Sequence, residues 1–130
     1  MEQQPDGMGL SRIGQISMTV KDLDRAIAFY RDRLGMRFLF RAPNLAFFDC
    51  DGIRLMLGPA EDPEFDHPGS VLYYVVDGLE AVHETLRSRG VTFREGPHKV
   101  ADLGDRELWM AFFEDGEGNL GAAMEERAAS

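Results

Sequence analysis

The feature that most constrains this chain is an internal repetition. The run Val20-Lys-Asp-Leu-Asp-Arg-Ala-Ile-Ala-Phe-Tyr-Arg31 returns as Val76-Asp-Gly-Leu-Glu-Ala-Val-His-Glu-Thr-Leu-Arg87, which sets Val20 beside Val76, Leu23 beside Leu79, Tyr30 beside Leu86 and Arg31 beside Arg87. Further on, Phe47-Phe48-Asp49 matches Phe112-Phe113-Glu114. With a longer turn in the second copy, Leu55 aligns with Ala122 and Leu57 with Met124. Such self-similarity marks one supersecondary unit used twice. Each copy reads strand, helix, then three strands, so the fold class is α+β, built from two βαβββ modules with curved mixed sheets around a cavity.

Local periodicity supports this order independently. Residues 13–20 roughly alternate apolar and polar, after which Asp22 offers an N-cap. Leu23, Ala26, Ile27, Tyr30 and Leu34 then make one apolar helical stripe that Gly35 stops. Residues 37–41, 45–50 and 53–57 are short segments rich in aromatic or branched side chains, and Asp51-Gly52 between the last two signals a hairpin. The second copy repeats the order with strands at 71–76, 91–94, 107–113 and 120–124 and a helix over 79–89 closed by Gly90. Its last hairpin carries the glycine-rich turn Asp115-Gly-Glu-Gly-Asn119.

A chain of 130 residues buries about two-thirds of its unfolded surface, enough for one core, whereas each half alone is marginal. The reading is therefore a single domain over 13–126, with module one at 13–57, a proline-rich and acidic connector at 58–70 and module two at 71–126. Residues 1–12 read as a disordered tail without the layout of a signal peptide. There is no membrane-length apolar run, and the single cysteine, Cys50, suits a reducing cytoplasmic setting and a packing role. With 14 basic against 23 acidic residues the net charge is −9, which argues against nucleic acid or anionic membrane partners. The usual meaning of such a balance is an acidic soluble surface. A preference for cationic ligands is the sharper alternative.

The stretch from Ile13 to Met36, with its Phe29-Tyr30 and Leu34-Gly35 pairs, and the element Asp115-Gly-Glu-Gly-Asn119 resemble the vicinal oxygen chelate superfamily of glyoxalases, bleomycin resistance proteins and extradiol dioxygenases. The match runs over residues 13–126. It implies paired βαβββ modules, commonly as a homodimer, and in metal-dependent relatives a divalent cation held from the first and last strand of each module. Those positions fall on Gln15, Leu55, Val71 and Ala122. Glutamine offers a carbonyl oxygen, but leucine, valine and alanine offer a cation nothing. A one-residue slip puts Arg54 or Met56, or Ala123, at these places and does not rescue the set. The expectation is no metal and no cofactor.

The three histidines lie on three different elements. His83, on the second helix, suits the helix surface or packing, and His67, in the connector, suits solvent. His98 lies in residues 96–106, which read as a loop over the cavity mouth and lead into Glu107 and Trp109. An imidazole, a carboxylate and an indole so close in sequence suit acid/base work or recognition of a flat ligand, and equally a capped loop with a core tryptophan. Alternation places Ser17 with Gln15 and Tyr73 with Val71 on the cavity face. The candidate ligand-binding residues are thus Gln15, Tyr73, His98, Glu107 and Trp109, in a cavity otherwise apolar. Two function classes stay open. One is a metal-free protein that sequesters an organic small molecule; the other is a lyase, isomerase or dioxygenase-like enzyme using side-chain acid/base groups or an unrecognised metal site. No catalytic residue is assigned.

Overall fold

The computed structural model of the protein describes residues 10–60 and 63–129. Residues 1–9 of the expected disordered tail lie outside the described residues, and residues 10–12 are exposed without regular structure. Module one runs β1 (Gln15–Thr19), α1 (Leu23–Ala28), β2 (Arg37–Ala42), β3 (Leu45–Cys50) and β4 (Ile53–Gly58). Module two runs β5 (Leu72–Val75), α2 (Leu79–Ser88), β6 (Thr92–Asp102), β7 (Arg106–Glu114) and β8 (Leu120–Ala128). The fold is α+β, with two four-stranded mixed sheets ordered β1-β4-β3-β2 and β5-β8-β7-β6. In each, the first strand joins the last in parallel and the other pairs are antiparallel.

The helices begin and end where local chemistry directs. Asp22 accepts a hydrogen bond from the Arg25 backbone N–H at 3.0 Å and caps α1. Past Ala28 the helix widens into a π-helical turn, Phe29–Arg33, which buries Phe29 and Tyr30 together. Gly35 and Gly90 leave the two helices with φ of 73° and 88°, the left-handed geometry that ends a helix. Asp51 and Gly52 both have positive φ, 51° and 93°, as a two-residue hairpin turn requires.

The core fills the space where the helices meet the inner faces of the sheets. Phe48, Leu55, Leu57, Leu79 and Val20 are its largest fully enclosed side chains. Aromatic rings carry it across the module boundary. Phe29 lies 6.4 Å from Phe113, and Phe113 stacks with Tyr74 at 6.2 Å. His83 takes the expected packing role, its ring edge-on to Phe93 at 4.5 Å.

Three details differ from the sequence reading. In the ladders Met56 and Ala122 hold equivalent places, since Met56 pairs with Phe47 and Ser17 while Ala122 pairs with Phe112 and Tyr73. Leu55 therefore does not correspond to Ala122. A one-residue slip moves a side chain to the other face of its sheet, and Leu55 is turned into the core, 2% exposed. Secondly, residues 96–102 are not a loop. β6 runs through them with three register shifts, one of them between Glu95 and His98 around Pro97. β6 is an edge strand, where a bulge absorbs proline without the loss of an inner ladder bond. Finally, β8 continues to Ala128, past the expected end.

The glycine-rich turn of module two is a buried latch on module one. Glu117 accepts from the backbone N–H groups of Lys21 and Asp22 at 2.6 and 2.9 Å and from Arg25 Nε at 2.7 Å. Asp115 accepts from the Tyr30 hydroxyl at 2.8 Å and from the N–H groups of Glu117 and Asn119. Asn119 donates to the Thr19 carbonyl at 3.1 Å and accepts from the Gly69 N–H at 2.7 Å, which ties the connector down as well. Among the described residues no buried side-chain N or O lacks a partner. Burial of Glu117 works against its charge, but the N–H groups of Asp22 and Lys21 and the Arg25 guanidinium outweigh it and hold the carboxyl below its ordinary 4.5.

Glu117→Ala leaves two enclosed N–H groups without acceptors and is expected to cost about 1–3 kcal/mol of unfolding free energy in urea. Because the folded-state value is depressed, the carboxylate's stabilisation is fully present above the ordinary 4.5 and is lost as pH falls through the folded value. Glu117→Gln should flatten that part of the acid limb; an unchanged limb would remove Glu117 from this role.

Candidate functional site

Each sheet uses one face for the core and leaves the other open. On the first, alternation and register set Gln15, Ser17, Arg54, Met56, Phe47, Asp49 and Phe40 on the open face. Gln15 and Arg54 are direct partners in the parallel ladder, and Arg54 Nε donates to Gln15 Oε1 at 2.7 Å. The guanidinium carbon lies 5.3 Å from the Phe47 ring centroid, and Phe40 stacks on Phe47 at 4.6 Å. Next to this platform the connector folds back to enclose a groove of about 370 Å³ lined by Ser17, Thr19, Met56, Pro59 and His67. His67 is exposed, as expected of a solvent-facing residue, while it borders this groove, and its ring nitrogen Nδ1 sits 3.0 Å from the Pro68 carbonyl oxygen. The return of the connector over the sheet leaves no local signal in sequence.

On the second sheet the open face carries Tyr73, Phe112 and His98. Tyr73 is edge-on to Phe112 at 6.4 Å, and the His98 ring lies 6.1 Å from Phe112 on the other side. His98 Nδ1 is 2.7 Å from the Gly96 carbonyl, which selects the tautomer protonated at Nδ1. Nε2 then points toward the Glu95 carboxylate at 3.5 Å.

Glu107 and Trp109 turn the other way. Parity along β7 sets Met110 and Phe112 on the open face and Glu107, Trp109 and Ala111 beneath α2. Trp109 Nε1 donates to Glu107 Oε1 at 3.0 Å, and Arg127 lies 4.5 Å over the indole while pairing with Glu125 and Glu80. Glu125 also accepts from the N–H groups of Gly78 and Leu79 and so caps α2, whose N-cap glycine has no side chain to do it. The structure thus brings Tyr73 and His98 together on one open face and Gln15 onto the other, and separates Glu107 and Trp109 from both. Cys50 stays a thiol, its pKa pushed up by burial and then by Asp49 and Asp51.

The family model described as the Glyoxalase/Bleomycin resistance protein/Dioxygenase superfamily matches residues 12–122. The chain belongs to this superfamily. Among curated relatives, the metallothiol transferase FosB of Lysinibacillus sphaericus (strain C3-41) is 23% identical over 117 residues, 86% of this chain and 80% of that protein. A glyoxalase/bleomycin resistance protein/dioxygenase from Nocardioides superimposes with a TM-score of 0.75 at 19% identity, covering 96% of this chain and 89% of that one. The lactoylglutathione lyase of Agrobacterium tumefaciens superimposes with a TM-score of 0.68 at 22% identity, covering 91% and 96%.

The glyoxalase scaffold does not by itself set the chemistry. In this member the side chains at the four expected ligand positions do not fit a divalent cation. In module one the place equivalent to Ala122 holds Met56 rather than Leu55, and the carbonyl oxygen of Gln15 is already taken by the guanidinium of Arg54, its ladder partner. Val71 and Ala122 bring no donor. Among the described residues no group of three or more His, Cys, Asp or Glu could hold a metal ion.

Substitutions on the open faces should leave stability alone. Gln15→Ala and His98→Ala are each expected to change unfolding free energy by less than about 0.5 kcal/mol. Arg127→Ala should shift Trp109 emission, because it strips the cation from the indole; emission insensitive to Arg127 would place Trp109 elsewhere.

Proposed function

We propose that this protein is a metal-independent small-molecule-binding member of the superfamily that holds an organic ligand on the open faces of its sheets. The observation that carries this reading is the Gln15–Arg54 pair, in which the one oxygen left from the metal site already serves a fixed cation. Gln15, Tyr73 and His98 are the contact residues; Glu107 and Trp109 are assigned to the packing of α2. The open faces also expose Phe40, Tyr73 and Val75, the last at 80%. Apolar surface of that kind is ordinarily covered. The proposal therefore includes a homodimer in which the open faces are closed by a second copy. No helix among the described residues is long and apolar enough to cross a membrane, and the free cysteine fits a reducing, cytoplasmic setting.

A second reading, an enzyme using side-chain acid/base groups, draws on His98. Its tautomer is set by the Gly96 carbonyl and Nε2 is left beside Glu95, an arrangement suited to moving a proton. The names of FosB, a transferase, and of the structurally similar lactoylglutathione lyase make enzymatic activity worth assaying.

Protein purified without chelator should contain no stoichiometric Zn, Ni, Mn or Fe by elemental analysis, and a small-molecule screen by thermal shift should return binders whose affinity falls in His98→Ala. Stoichiometric metal lost in a Gln15→Ala variant would overturn the metal-independent reading. Turnover of a screened compound, abolished in His98→Ala, would select the enzyme. Sedimentation at micromolar concentration should give a dimer.

A further inference from the structure

We propose that Arg54 takes over the electrostatic task of the absent cation and makes the open face of the first sheet a recognition site for a flat organic carboxylate. This rests on the binding reading above and names its ligand class. Arg54 Nε is committed to Gln15 Oε1 at 2.7 Å, which fixes the plane of the guanidinium. Among the described residues its two Nη groups make no hydrogen bond and no carboxylate pairs with Arg54. A guanidinium presents its donors as a planar fork that matches a carboxylate with two parallel bonds.

The neighbouring charges favour an anion as well. Asp49 stands opposite Arg54 in the β3–β4 ladder and opposite Arg37 in the β2–β3 ladder, one carboxylate between two guanidinium-bearing residues. Its Oδ1 is turned away to the Gly52 N–H at 3.1 Å. The row Gln15, Arg54, Asp49 and Arg37 thus carries a net positive charge on a protein whose overall charge is −9. This inverts the preference for cations that overall composition suggests, because a ligand in contact feels the nearest charges rather than the sum.

The shape of the ligand follows from the ring pair. Phe40 and Phe47 stack face to face at 4.6 Å with the Arg54 guanidinium over the Phe47 ring, which leaves ring edges and Phe40, 49% exposed, as apolar surface close to the charge. A planar or aromatic body set against the exposed edges of this stack brings a carboxylate to the Nη groups, and the hydroxyl of Ser17 and the thioether of Met56 lie further along the same face toward the groove.

The test is a titration with benzoate, benzamide and benzylamine, three probes of nearly one shape and different charge, followed by NMR at the arginine Nε–H resonances. Arg54→Gln identifies the Arg54 signal. The expected result is that benzoate shifts that signal and the Phe47 ring resonances and binds at least about tenfold more tightly than benzamide, the scale of a charged hydrogen bond. In Arg54→Gln the preference should vanish, with the melting temperature nearly unchanged. Equal binding of benzamide, or benzoate affinity retained in Arg54→Gln, would overturn the assignment. If no probe perturbs Arg54 while a screened compound still binds the open faces, the carboxylate assignment fails and the binding function stands; if nothing binds, both fall.

Discussion

The structure depends on a carboxylate from one module satisfying the backbone of the other. Glu117 sits in the turn between β7 and β8, yet its oxygens accept the N–H groups of Lys21 and Asp22, where β1 hands over to α1. A helix start leaves unpaired donors that must find acceptors when enclosed. Here the acceptor comes from the far end of the chain, with Asp115 holding Tyr30 from the same turn. Module one's backbone is thus completed by a residue of module two, and the Phe29–Phe113 contact carries the core across the same boundary.

The two modules solve the same local problem differently. α1 has its own cap in Asp22 and borrows Glu117 in addition. α2 starts at Gly78, which has φ of 83° and no side chain, so Glu125 on β8 supplies the acceptor from within the same module. Arg127 then balances Glu125 and Glu80 and lies over Trp109. The residues that look most chemical near the end of the chain are thereby spent on holding a helix. The open faces are left with a sparser set: a guanidinium–amide pair beside two stacked phenyl rings, and a histidine beside a phenyl and a phenol.

Much was legible from residue order. The repetition, the caps, the helix-ending glycines and the Asp51-Gly52 turn are local signals, and each led to the right element. The lack of metal-type side chains at the expected ligand positions is likewise a matter of residue type, since leucine, arginine and methionine are all unsuitable whichever the register. Which of the three stands beside Gln15 was not legible, because the side chains of a strand change face with every residue and the length of the following turn sets the count.

What sequence alone determined is therefore the set of elements, their order and the poverty of metal donors, because these rest on period, caps and residue type within a few positions. Tertiary structure decided the rest. It chose Arg54 rather than Leu55 as the neighbour of Gln15, carried β6 through Pro97 so that His98 and Trp109 face opposite ways, and folded the connector so that His67 lines a groove. It also turned an ordinary-looking glycine-rich turn into a buried latch. In each case the deciding partner lies on another strand or in the other module, and hydrogen bonds between distant segments leave no mark in the neighbouring residues.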